Sequence, residues 1–220
     1  MTLPRQGVAG LLLAAAVAAG ASYVASWFLP LPQAASIAWK GAGVGLLALY
    51  AASRAKGPDG WLLAVVMAFG ALGDVLLETH GLVTGALAFL AGHLTAIGLY
   101  LRNRRRLGAA DWTVAGVLFV AIPAIAYLLP PERAGAGLIA LYAAGLSAMT
   151  AAAWLSRFPR TLTAAGAIMF AVSDLLIFAR TGRPALDILP MGLAVWGLYF
   201  GGQTLIALGV SRTLGGGRTS

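Results

Sequence analysis

Cysteine is absent from the sequence, which excludes a disulfide framework, a thiolate nucleophile and a Cys-ligated zinc or iron–sulfur centre. Histidine is almost as scarce. Two residues are too few for a His-rich site, and no His-x-x-x-His, Glu-flanked His pair or calcium-loop pattern occurs, so no metal and no cofactor is expected. The Gly-x-Ser-x-Gly elbow of a serine hydrolase is missing as well. Charge is the third shortage: 10% of the residues are Asp, Glu, Lys or Arg, against about 25% in an ordinary soluble domain. With 60% hydrophobic residues and a mean hydropathy of +0.87, the chain reads as an integral membrane protein whose first partner is the lipid bilayer. The net charge of +8 does not point to nucleic acid. The cations sit between apolar runs and not in a stripe interleaved with aromatics, so they read as topology signals.

What the sequence does contain is a series of long apolar runs. A bilayer core about 30 Å thick requires about 20 apolar residues per helix. Eight such runs are present, at residues 7–29, 33–53, 60–79, 82–101, 109–129, 134–155, 161–180 and 188–210. The first is long enough to span and follows a lone Arg5, so it is expected to stay as a helix and not to be removed as a signal peptide. Short connections bearing Pro, Gly or charge, such as Pro30-Leu31-Pro32, His80-Gly81 and Pro130-Pro131, make sequence neighbours antiparallel neighbours. The expectation is an all-α fold, a single bundle of eight transmembrane helices over residues 1–211 with a flexible tail over 212–220. Gly41 and Gly45, Gly81 and Gly85, and Gly197 and Gly201 stand four apart, the spacing that lets helices approach closely. With the N-terminus inside, one set of connections holds eleven basic residues: Arg5, Arg54, Lys56, Arg102, Arg104, Arg105, Arg106, Arg157, Arg160, Arg212 and Arg218. The other set holds Arg133, Arg180 and Arg183. This asymmetry predicts that both termini are cytoplasmic, in a multi-pass protein of the cell membrane.

Few ionisable residues interrupt the runs, and each calls for a reason. Asp74 lies in MAFGALGDVLLE, where an acid at mid-membrane costs about 2.5 to 3.5 kcal/mol on insertion scales and usually faces a bundle interior. One hundred residues later, Gly73-Asp74-Val75-Leu76-Leu77 is echoed by Ser173-Asp174-Leu175-Leu176-Ile177. The echo is compatible with a parallel duplication of a four-helix unit, although His93 and Gln203 find Leu193 and Asn103 at that offset. Either aspartate can be a functional acid or an interhelical strut. Gly70, Asp74 and Glu78 share one stripe of their helix, with Glu78 at the membrane boundary. Lys40 lies about 10 Å inside the second span at 1.5 Å per residue, where it can pair with an aspartate or a phosphate, or snorkel. His93 is near the middle of the fourth span, with Phe89 and Tyr100 on its face. Trp196, Tyr199 and Gln203 share a face of the last span, which a membrane glutamine turns inward. Ser173 reads as a packing residue.

In their order and spacing, Trp39-Lys40-Gly41, Gly73-Asp74, Gly92-His93, Tyr142, Phe170-Ala171-Val172-Ser173-Asp174 and Tyr199-Phe200-Gly201-Gly202-Gln203 resemble the lysoplasmalogenase-like, or YhhN, family of eight-helix membrane proteins. The resemblance covers nearly the whole chain. Gly41 stands where that family often has Pro, and Leu94-Thr95-Ala96 follows His93 where an aromatic is usual. The resemblance implies hydrolysis of the vinyl ether bond of a lysoplasmalogen to a fatty aldehyde and glycerophosphoethanolamine or glycerophosphocholine, with no cofactor. It implies Asp74 and Asp174 as catalytic residues, and Lys40, His93, Tyr199, Gln203, Tyr142 and Glu78 about the lysophospholipid substrate. The chemistry suits two carboxyls. A vinyl ether is cleaved when its outer alkene carbon takes a proton, which needs an acid still protonated near neutral pH, and removal from water favours that form of a carboxyl. A second carboxyl, kept ionised by a cation such as Lys40, stabilises the oxygen-bearing cation and orients water. Either aspartate fits either part. Two other classes fit paired intramembrane acids: a proton-coupled transporter and a lipid-binding membrane protein without turnover.

Overall fold

A computed structural model describes residues 5–216, so Arg218 and the rest of the expected tail beyond Gly216 lie outside the described residues. Eight α-helices follow one another: α1 Arg5–Ser22, α2 Gln33–Arg54, α3 Gly57–His80, α4 Leu82–Arg102, α5 Ala109–Leu128, α6 Ala136–Leu155, α7 Ala165–Arg180 and α8 Leu189–Gly215. Among the described residues there is no β-strand, only one isolated antiparallel bridge between Arg104 and Ser156. In lipid every backbone N–H and C=O must be satisfied within its own segment, which is why apolar runs of this length become helices. All eight are long and apolar enough to cross a membrane, the first as Gly7–Trp27 and the seventh as Arg160–Arg180, each counted with the turn that adjoins it. Their outer faces expose Leu11, Leu72, Leu87, Val120, Leu138 and Leu141, a surface suited to acyl chains. The chain is a multi-pass, all-α membrane protein.

The ends of the spans follow the chain's punctuation where punctuation exists. α2 begins directly after Pro32, which lacks an N–H and is tolerated at a helix start. α3 ends at Gly81, whose φ of +85° is the left-handed conformation that glycine adopts without strain, and α4 starts with the next residue. Three ends differ from the apolar runs. α1 tightens into a 3₁₀ turn over Tyr23–Trp27, and a π-helical turn over Arg160–Ala164 leads into α7. α8 runs on to Gly215, past residue 210, because no breaker intervenes. Its last turn is held there by Lys56, whose Nζ donates to the Gly215 carbonyl at 3.4 Å, a cation at the negative end of the helix dipole.

The chain divides into two compact units, residues 1–96 with 207–220, and residues 97–206. In the first, α1 packs on α2 and α2 on α3. The contact between α2 and α3 is made by glycine: a Cβ at Gly41 would lie 2.9 Å from Val75 Cγ2, and one at Gly45 would touch Ala71. On another face of α3, a Cβ at Gly85 of α4 would lie 2.8 Å from the Leu77 Cα, and one at Gly92 would lie 3.2 Å from Phe69 Cβ. In the second unit α5 packs on α6, and α7 contacts both. The α7 and α8 backbones meet at Gly166 and Gly202, where a Cβ on either would come within 2.6 Å of the other's carbonyl oxygen.

One end of the second unit is tied by its arginines. The Arg157 N–H donates to the Asn103 carbonyl at 2.7 Å and its Nε to Asn103 Oδ1 at 2.8 Å. Asp111, at the start of α5, accepts from Arg105 Nη2 at 2.9 Å and pairs through the same oxygen with Arg160, whose guanidinium lies 4.2 Å from the Trp154 ring centre. The connection between α4 and α5 is thereby fastened to the one between α6 and α7.

Candidate active site

Each unit carries one buried aspartate within a span. Asp74 is 2% exposed and Asp174 is 7% exposed. Each stands six residues before the last residue of its helix, which places its Cα about 9 Å from that helix end at 1.5 Å per residue.

On α3 the backbone decides where Asp74 points. Gly73 receives the Phe89 ring of α4, since a Cβ there would lie 2.7 Å from the ring edge, so Phe69, Gly73 and Leu77 form the face toward α4. Ala71 and Val75 form the face toward α2. At 100° per residue, Met67, Gly70, Asp74 and Glu78 fall on the arc between those two faces. Met67, Gly70 and Asp74 on that arc are buried, and Glu78 is where it reaches the surface. Lys40 Nζ donates to Glu78 Oε1 at 2.6 Å, with the lysine side chain 11% exposed and the glutamate 41%. The cation expected beside an aspartate is therefore ion-paired one turn nearer the helix end. Its position follows from Gly41, which brings α2 against Val75 next to this pair. His93 is 4% exposed on α4.

In the second unit Phe170, Asp174 and Phe178 line one stripe of α7, at spacings of four. Tyr142 of α6 donates its hydroxyl to Asp174 Oδ2 at 2.6 Å, and its ring meets Phe178 edge-on, with centroids 5.9 Å apart. The hydroxyl fixes which carboxyl oxygen Tyr142 engages. Phe170 meets Tyr199 edge-on at 5.1 Å, Trp196 lies 5.7 Å from Tyr199 and stacks on Phe200, and Gln203 is 3% exposed further along α8. Ser173 Oγ donates to the Val195 carbonyl at 2.9 Å and so fastens α7 to α8, as its packing role requires. Asp174 is thus buried on a stripe of α7 between Phe170 and Phe178, with the Tyr142 hydroxyl bonded to it.

Sequence reasoning reached these residues unevenly. Lys40 and Glu78 are brought together, as are Tyr142 and Asp174, and as are Phe170, Trp196 and Tyr199. Phe178, which backs Tyr142, was not singled out, although its spacing of four from Asp174 is a readable signal. Among the described residues no three His, Asp or Glu side chains come together as a metal site.

The chain's similarities to known proteins are specific. The sequence profile of the YhhN family matches residues 35–210. A lysoplasmalogenase of Mycobacterium bovis is 32% identical over 181 residues, covering 78% of this chain and 69% of the relative, and one of Mycobacterium tuberculosis matches to the same extent. No solved structure matches the chain.

Proposed function

Because the chain belongs to the YhhN family, we propose that it is a hydrolase of the vinyl ether bond in a lysoplasmalogen, releasing a fatty aldehyde and a glycerophosphoethanolamine or glycerophosphocholine. The observation that carries this reading is the similarity, over most of both chains, to two proteins named lysoplasmalogenase. The buried carboxyls give it a chemistry. One aspartate delivers its proton to the outer alkene carbon, forming a C–H bond and leaving a positive charge shared by the ether oxygen and its carbon. The other, as carboxylate, stabilises that cation and takes a proton from the attacking water. The resulting hemiacetal gives its hydroxyl proton to the first aspartate while its bond to the glycerol oxygen breaks and that oxygen takes the proton held by the second, so the aldehyde departs and both carboxyls return to their starting states. No electron acceptor enters the balance. Asp174 is suited to either part, because Tyr142 holds one of its oxygens and orients the other. The Phe170, Tyr199 and Trp196 wall is suited to the alkenyl chain.

The test uses purified protein in detergent, without a gradient, and follows aldehyde from a lysoplasmalogen by mass spectrometry. Release under those conditions separates turnover from transport. A lysolipid with a saturated ether of the same length and head group lacks the carbon that must be protonated, so it is expected to stay intact and to inhibit competitively. Proton transfer to carbon also predicts a normal solvent deuterium isotope effect. Equal cleavage of the saturated ether, or of the matching ester with fatty acid as product, would overturn the assignment of the bond.

A further inference from the structure

Four of the polar residues within the spans lie toward one end of their helices, whereas His93 and Gln203 lie near the middle of α4 and α8. Asp74 and Asp174 lie six residues from the last residues of α3 and α7. Lys40 lies seven residues from the first residue of α2, and Tyr142 six from the first of α6. With each helix crossing once, all four of these ends belong to one side of the membrane, the side of the α1–α2, α3–α4, α5–α6 and α7–α8 connections. The opposite side carries the connections with Arg54, Lys56, Arg102, Arg104, Arg105, Arg106, Arg157 and Arg160. Counted along its own helix, each of these residues therefore lies about 9 to 10 Å from that end and roughly 20 Å from the far side of a core about 30 Å thick.

Both sides carry polar ties: opposite the arginines, Trp39 Nε1 of α2 donates to the Ala19 carbonyl of α1 at 3.1 Å, and Arg180 pairs with Asp187 at 3.8 Å. On the arginine side, Asp111 with Arg105 and Arg160, and Asn103 with Arg157, fasten neighbouring connections of the second unit. In the first unit a Cβ at Gly60 would lie 2.7 Å from Ala55 Cα, so the α2–α3 connection is packed against its own helix start. On the other side, the stripe of α3 that holds Asp74 ends in Glu78, 41% exposed and paired to Lys40. A buried cation paired with a half-exposed anion therefore stands where the stripe that holds Asp74 reaches the surface.

Resting on the proposed hydrolysis, we infer that the lysolipid is drawn from the leaflet opposite the arginine-rich connections, with its head group at the Lys40–Glu78 end and its chain directed toward the bilayer centre. The chemistry of the lipid fits the depth. In a lysolipid the phosphate lies at the interface and the vinyl ether a few bonds below it, beside the glycerol, which is the depth of Asp74 counted along α3. A lipid from the arginine-side leaflet would present its vinyl ether on the wrong side of the midplane. The head-group product leaves on the side from which the lipid came.

The absence of cysteine makes the sidedness measurable, since single cysteines placed at Arg106→Cys and Thr79→Cys report each face to a membrane-impermeant maleimide without background. In sealed vesicles of one orientation so defined, glycerophosphoethanolamine, which does not cross membranes, is expected in the compartment where Thr79→Cys labels. Its appearance where Arg106→Cys labels, or equally on both sides, would overturn the inference while leaving the reaction standing. A second measurement does not depend on turnover. A saturated-ether lysolipid with a photoreactive head group, added to the wild-type protein, should crosslink to peptides near Lys40 and Glu78. Crosslinks confined to residues 102–108 and 157–160, or none above a detergent control, would refute the placement. No aldehyde from detergent-solubilised protein, together with crosslinks near Lys40 and Glu78, would remove the reaction and keep the site.

Discussion

At the scale of single residues, the informative contrast is between the carboxyls and what surrounds them. Asp74→Asn and Asp174→Asn keep side-chain shape and remove the titratable proton and the charge. Each is expected to abolish aldehyde release while the protein still extracts and elutes as a folded species. Near-normal turnover in either variant would reduce that aspartate to an interhelical strut. Tyr142→Phe keeps the edge-on contact with Phe178 and removes only the hydroxyl that donates to Asp174. General acid–base positioning contributes about 10²–10⁴ in rate, and one orienting hydrogen bond is part of that, so turnover should fall by roughly 10- to 100-fold with the pH profile displaced. A loss of thermal stability with unchanged turnover would make Tyr142 a packing residue. The sequence made both aspartates visible, because a carboxylate inside an apolar run has no bland surroundings in which to hide. It did not fix the partner of Lys40. Two buried anions drew attention to themselves, yet the lysine meets Glu78, one turn along the same stripe, because Gly41 sets the α2–α3 approach at that level.

At the scale of elements, hydropathy carried the spans and steric detail carried the crossings. The eight helices match the apolar runs closely, since lipid leaves an apolar segment little alternative to a helix. The 3₁₀ turn at Tyr23–Trp27 and the π turn at Arg160–Ala164 were not legible, because changes in helical pitch leave no mark on hydropathy. Glycine spacing was a partial guide. Gly41 and Gly85 do make close contacts, but Gly197 has nothing within 4 Å of where its Cβ would be. The tightest crossing joins Gly166 and Gly202, thirty-six positions apart on different helices, where no local spacing can announce it. Two opposite effects are therefore expected from the same substitution. Gly202→Ala forces a methyl against the Gly166 carbonyl and should cost about 1 to 3 kcal/mol by overpacking, with activity lost as Phe170 and Tyr199 are pushed apart. Gly197→Ala meets no obstacle and removes backbone freedom from the unfolded chain, so it should leave stability unchanged or raise it by up to about 1 kcal/mol. Thermal unfolding in detergent compares them directly, and equal losses in both would show that helix crossing is not what Gly202 serves.

At the scale of the whole molecule, basic residues do two separable jobs, and Asp111 distinguishes them. Orientation responds to the number of Lys and Arg in short connections and hardly to acids, so the eleven-to-three asymmetry should place a reporter fused after Arg106 in the cytoplasm and one after Gly135 on the opposite side. Asp111→Asn changes no basic residue and should leave both readings as they are. Its effect should be on cohesion, because Arg105 and Arg160 converge on one carboxylate oxygen of Asp111 and would face each other without it. Breaking a fully buried pair costs about 3 to 5 kcal/mol. Here the arginine side chains are 31% and 35% exposed and the aspartate 17%, so water and salt screen the remaining repulsion and a loss nearer 1 to 2 kcal/mol is expected. The loss should shrink as salt is raised, since screening replaces part of what Asp111 supplied, and a double variant that also carries Arg160→Gln should recover part of it by removing one of the two facing cations. A reversed reporter in Asp111→Asn would mean that this acid is part of the topology signal. Unchanged unfolding at low salt would mean that the connections of the second unit are held by Asn103, Arg157 and the backbone bonds between them alone.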